Sequence, residues 1–149
     1  MGHSCRAPRD QDPFSSTKPA ETVLVVEDDV RILALTGEML RVAGYRVLKT
    51  NVASEAVLIF ERNAAEIDIV LSDVQMPGLT GPELACRLRQ RNPDLPVGFM
   101  TGCTEDCAPP DALQKPFKMA DLWSKISDAL NGELATTPVG YSRKMHPAA

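Results

Sequence analysis

Aromatic residues make up only 5% of the 149 positions, and the chain has two histidines, one tryptophan and four cysteines. Cys5, Cys86, Cys103 and Cys107 do not form the even, closely spaced pattern of a disulfide scaffold. The spacing of Cys103 and Cys107, with no histidine partners, suits zinc poorly, so reduced, incidental thiols are expected. Clustered Lys and Arg are also missing, and the net charge is -4. Without a basic run there is little to neutralise phosphates, which argues against nucleic acid as a direct partner. No apolar stretch is long enough to cross a bilayer, and the first residues lack an apolar signal segment. A monomer in the cytoplasm, with no membrane contact, is the expectation.

What the chain does have is 44% apolar content over a length that suits one core. Residues 1–20 hold Pro8, Pro13 and Pro19 among polar residues, and 133–149 are interrupted by Pro138, Gly140 and Pro147. Both stretches read as flexible tails around a single domain at 21–132, with no output domain after it. Inside that domain, strand-length apolar runs alternate with helical patterns, as in a parallel sheet with helices on both faces.

Strands are expected at 23–26, 45–49, 67–73, 97–100 and 112–114. Helices are expected at 30–43, closed by Gly44; at 54–62, capped by Ser54; from Pro82 to Asn92-Pro93; and at 118–130. Leu33, Thr36, Leu40, Ala43, Ala56, Ile59, Phe60, Leu84, Ala85, Leu88, Leu122, Ile126 and Ala129 are the expected inward positions. Trp123, beside Leu122, is expected to be half-buried packing.

The strand exits carry the chemistry. The first strand empties into Glu27 and Asp28, the third into Asp73, the fourth into Thr101 and the fifth into Lys115. Right-handed crossovers bring these ends to one edge of the sheet, where open α/β folds handle ligands. Three acids gathered there repel one another unless a cation joins them, and oxygen ligands without His or Cys favour Mg²⁺. A hydroxyl and an ammonium beside that metal suit a phosphoryl group in transfer. Taken singly, Asp28 or Asp29 could be a helix N-cap, Asp73 a turn acid, Thr101 a strand-end hydroxyl and Lys115 a solvated charge.

Together, VLVVEDD, LSDVQMPGLTG, the MTG after the fourth strand and KPF resemble, in order, the receiver domain of two-component response regulators. The resemblance covers nearly the whole core. It implies a flavodoxin-like doubly wound sheet of five parallel strands in the order 2-1-3-4-5. It also implies that Asp73 is the phosphoacceptor, that Asp28 ligates Mg²⁺ directly, and that Glu27 does so through water. The backbone carbonyl of Gln75 would be a further ligand. Thr101 would bond a phosphoryl oxygen, with Gly102 leaving room, and Lys115 would pair with Asp73 and then with phosphate, its bond to Pro116 being cis. The implied partner is a histidine kinase or a histidine phosphotransfer protein, and the chain would accept a phosphoryl group rather than act as an enzyme. A C-terminal receiver of a hybrid sensor kinase fits the same resemblance.

Two departures qualify it. Only thirteen residues separate Thr101 from Lys115, and they include Pro109 and Pro110. The family's fourth helix is therefore expected to be shortened or missing, and the segment mobile. Ala112 stands where the family often has a switching aromatic. The alternative function is a phosphorylation-independent interaction domain that regulates a sensor kinase. A Mg²⁺-dependent phosphatase is a weaker third reading, because Gln75 stands where such enzymes place a second acid.

Overall fold

In the computed structural model, which describes residues 20–102 and 109–131, the elements are β1 (Thr22–Val26), α1 (Val30–Val42), β2 (Arg46–Thr50), α2 (Ala53–Asn63) and β3 (Ile69–Asp73). They continue with α3 (Gly81–Arg89), β4 (Val97–Thr101), β5 (Leu113–Gln114) and α4 (Met119–Leu130). All strand pairs are parallel, in the order β2-β1-β3-β4-β5. The chain is thus the flavodoxin-like α/β fold expected of it.

Why these residues choose strands is visible in the period-2 split of the core. Val23 and Val25 of β1, with Ile69 and Leu71 of β3, join Leu33 and Leu40 of α1 and Leu122, Ile126 and Ala129 of α4. The alternate residues Leu24, Val26 and Val70 join Ala56 and Phe60 of α2 and Leu84 and Leu88 of α3 on the opposite face. Central strands sandwiched between two helical layers must be apolar on both sides, which explains the near-unbroken apolar runs. Ile59, expected inward, is only partly buried, at the margin of the α2/α3 cluster.

Helix boundaries follow local hydrogen bonding. The carboxylate of Asp29 accepts from the amides of Arg31 and Ile32 and so caps α1. At the other end Gly44 has φ 102°, a conformation costly for any residue with a β-carbon. Ser54 does not cap α2, contrary to expectation. The N-cap is Val52, which has no side-chain cap bond, and its amide donates instead to the hydroxyl of Thr50 at the end of β2. Thr80 and Glu83 form a capping box on α3, and Pro82 occupies its first turn. That helix ends at Arg89, before the expected Asn92-Pro93 stop, because the amides of Gln90 and Arg91 already turn back to Arg87 and Leu88.

Four helices are present among the described residues; 109–112 are not helical, and the expected shortening or loss of a helix after β4 falls mostly on 103–108, outside them. The mobility expected of 102–113 falls mostly on 103–108, outside the described residues, as do the expected tails. Pro109 and Ala112 close a turn before β5, the Ala112 amide donating to the Pro109 carbonyl at 3.0 Å. Ala112 itself packs against the α2/α3 cluster. Trp123 is 40% exposed, with its indole N–H directed at the Met39 carbonyl 3.5 Å away.

Candidate functional site

The parallel sheet brings the ends of β1, β3, β4 and β5 to one edge, and there the charged residues converge. Carboxylate oxygens of Glu27, Asp28 and Asp73 lie within 4.8 Å of one another. Glu27 is 1% exposed and Asp73 5%, whereas Asp28 faces solvent. Buried like charges this close raise each other's cost of ionisation, so a compensating cation is required.

Part of that compensation is Lys115. Its ammonium donates to Glu27 Oε1 at 2.8 Å and stands 3.4 Å from Asp73 Oδ1. The second oxygen of Glu27 accepts from the Asp29 amide at 3.0 Å. Burial alone would lower the Lys115 pKa, but the carboxylates of Glu27 and Asp73 outweigh it and hold the amine above its ordinary value. Burial pushes the Asp73 carboxyl up to about 6, with the charge of Glu27 adding to the rise and Lys115 opposing it.

The loop that presents Asp73 is fixed by its surroundings. The Val74 amide donates to the Met100 carbonyl at 2.9 Å, and the Gly81 amide to the Val74 carbonyl at 2.8 Å. Gly81, the first residue of α3, lies so close that a β-carbon on it would stand 2.4 Å from the Asp73 carbonyl oxygen. The Lys115 amide donates to the Thr101 carbonyl at 2.7 Å, which ties β5 to β4 at the point where Thr101 is buried. Gly102 follows at the surface, with Lys115 Cε 4.0 Å from where its β-carbon would be. The Lys115–Pro116 peptide bond is cis.

The charged groups of Glu27, Asp28, Asp73 and Lys115 thus gather at one edge, Thr101 ends β4 at that edge, and exposed Gln75 lies in the loop directly after Asp73 and Val74. The donor set fits a hard divalent cation. It offers only oxygen, three carboxylates face the Lys115 ammonium, and Asp28 opens the cluster to the waters that Mg²⁺ retains. Two features were not anticipated in the sequence. Lys115 lies nearer Glu27 than Asp73, and Gly81 makes the close approach to the Asp73 backbone. The glycine could have been suspected from its place at the end of a Pro/Gly-rich turn, whereas the ion pair joins positions 88 apart.

Comparison with known proteins agrees with this geometry. The family model described as "Response regulator receiver domain" matches residues 23–127. The response regulator receiver protein CpdR of Brucella abortus is 34% identical over 117 residues, which cover 72% of this chain and 95% of that protein. Sensor kinase CckA of the same organism is 37% identical over 117 residues, 73% of this chain but only 12% of the kinase. Among solved structures, the receiver domain of hybrid histidine kinase CckA is 35% identical with a TM-score of 0.65, covering 73% of this chain and 98% of that one. A receiver domain protein from Clostridium thermocellum is 28% identical with a TM-score of 0.69, covering 74% and 94%. The chain belongs to the response regulator receiver domain family of two-component signalling.

Proposed function

We propose that the chain accepts a phosphoryl group on Asp73 from the phosphohistidine of a histidine kinase or histidine phosphotransfer protein, with Mg²⁺ bound at the acidic cluster. One observation carries this reading. The ammonium of Lys115 bridges Glu27 and Asp73, so the end of β5 delivers a cation to the buried carboxylates at the ends of the central strands β1 and β3.

Asp73, in its ionised form, supplies an oxygen lone pair to phosphorus. The phosphorus–nitrogen bond breaks, and its electron pair leaves with the imidazole. Lys115 is within reach of the oxygens on which charge accumulates, and the Thr101 hydroxyl is assigned as the second donor to them. Asp28, Asp73, the main-chain carbonyl of Gln75 and, through water, Glu27 would hold Mg²⁺. The metal supplies charge neutralisation for the phosphoryl oxygens. Gly102 is given the role of leaving the approach to Thr101 open.

The domain is taken to span 21–132. The short share of CckA that this chain matches supports a placement within a hybrid sensor kinase or beside one, in the cytoplasm where phosphohistidine donors act. No described helix is long and apolar enough to cross a membrane.

Incubation with acetyl phosphate and Mg²⁺ followed by intact mass tests the reading. The parent should gain one phosphoryl group, Asp73→Asn none, and Asp29→Asn as much as the parent. A folded parent that gains no mass favours the phosphorylation-independent interaction domain instead.

A further inference from the structure

Lys125 is a charged residue on the inward face of α4, 8% exposed, and the phosphoryl chemistry makes no use of it. Its stem lies over Gly98 of β4, with Cε 3.6 Å and Cγ 3.7 Å from where a β-carbon of that glycine would be. Its ammonium emerges at the start of β5, where it bonds the backbone carbonyl of Asp111 and lies 3.5 Å from the Asp111 carboxylate. Burying an ammonium is costly unless it is paired and hydrogen-bonded, so the pairing fixes Asp111 against α4.

β5 gives this contact a wider consequence. The strand has two residues and pairs with β4 only at Met100↔Leu113 and Thr101↔Gln114. The next residue is Lys115, whose amide bonds Thr101 and whose ammonium bonds Glu27. A strand this short has little ladder of its own to set its register. We propose that Lys125 is a positioning residue for Lys115, holding the two-residue strand in register through Asp111 so that the Lys115 ammonium is delivered to Glu27 and Asp73. The proposal rests on the phosphoacceptor reading.

The chemistry predicts opposite responses that a general loss of stability would not produce. Released from register, Lys115 donates less well to a phosphoryl oxygen, which slows phosphorylation. The same release withdraws a positive charge from the acidic cluster, which tightens Mg²⁺ binding.

The test compares the parent with Lys125→Met, which keeps the stem and removes the ammonium, and with Asp111→Asn, which keeps the backbone acceptor. Amide exchange at Gln114 and Lys115, Mg²⁺ affinity and the acetyl phosphate reaction are measured on each. Loss of a buried charge-assisted bond should speed exchange at Lys115 by about tenfold in Lys125→Met while β1 and β3 are unchanged. Mg²⁺ should bind more tightly and mass gain should be slower, with Asp111→Asn shifted the same way by less. If Lys125→Met does not fold, Asp111→Asn carries the comparison.

Parent-like exchange at Lys115, or phosphorylation and Mg²⁺ binding that weaken together, overturns the positioning role while leaving the phosphoacceptor reading intact. A parent that gains no phosphoryl group overturns that reading and the role of Lys125 with it.

Discussion

The ammonium of Lys115 lies 2.8 Å from Glu27 and only second, at 3.4 Å, from Asp73. Glu27 is almost wholly buried and also accepts from the Asp29 amide. Lys115 is therefore the charge partner of a buried acid as well as a neighbour of the proposed phosphoacceptor.

Removing that partner leaves Glu27 and Asp73 unpaired. Lys115→Met should lower unfolding free energy by about 3 kcal/mol in EDTA, the usual cost of stranding a buried charge. Mg²⁺ should recover much of the loss, since it supplies the missing positive charge. Urea unfolding with and without the metal measures both quantities, and an equal deficit in the two conditions would contradict the shared-charge account.

The acidic cluster also predicts how the parent responds to metal. With three carboxylates against one ammonium among the described residues, Mg²⁺ at about 100 times its dissociation constant should add about 2.7 kcal/mol. Asp28→Ala removes the solvent-facing carboxylate of the proposed metal site and should abolish most of the rise in Tm. A variant that responds to Mg²⁺ like the parent would place the metal elsewhere.

How far this site could be read from sequence depends on whether the deciding contact is local. The strand exits were legible because apolar runs sandwiched between helices stop abruptly at Glu27, Asp73 and Thr101, and the topology then forces them together. Asp29 as the cap of α1 is a two-residue affair and was visible as an alternative. The Ser54 cap failed because the helix already starts at Ala53, the Ala56 amide bonding the Val52 carbonyl, which leaves Ser54 inside the first turn. The Lys115–Glu27 pair and the placement of Lys125 over Gly98 join distant segments, and no periodicity encodes them.

Asp73 should give the domain a pH signature when metal is chelated. Its folded pKa of about 6 lies above the ordinary 3.8, so between those values the native state binds the proton more tightly than the unfolded chain. The native state's penalty for ionising Asp73 is absent below about pH 4 and complete above about pH 6. Stability should thus fall as pH rises through this window, by about 3 kcal/mol at most. Subtracting the stability curve of Asp73→Asn isolates the effect; parallel curves for the two proteins would remove Asp73 as its source.

Gly81 offers a way to disturb the Asp73 loop without touching a charge. A β-carbon there would stand 2.4 Å from the Asp73 carbonyl oxygen and 3.1 Å from Val74 Cα, and both obstacles are backbone that cannot swing aside. Relief requires α3 to retreat from the end of β3, which strains the Gly81 to Val74 hydrogen bond and shifts Asp73 relative to Lys115. Overpacking of this kind costs about 1–3 kcal/mol. Gly44→Ala is the matched control, since its φ of 102° imposes about 1–2 kcal/mol of strain at the end of α1, with no atom within 4 Å of the new carbon. Both variants should lose stability in urea, but only Gly81→Ala should also slow the acetyl phosphate reaction, because only it moves the backbone that carries Asp73. Equal rates for the two folded variants would mean that the Gly81 contact supports the fold alone.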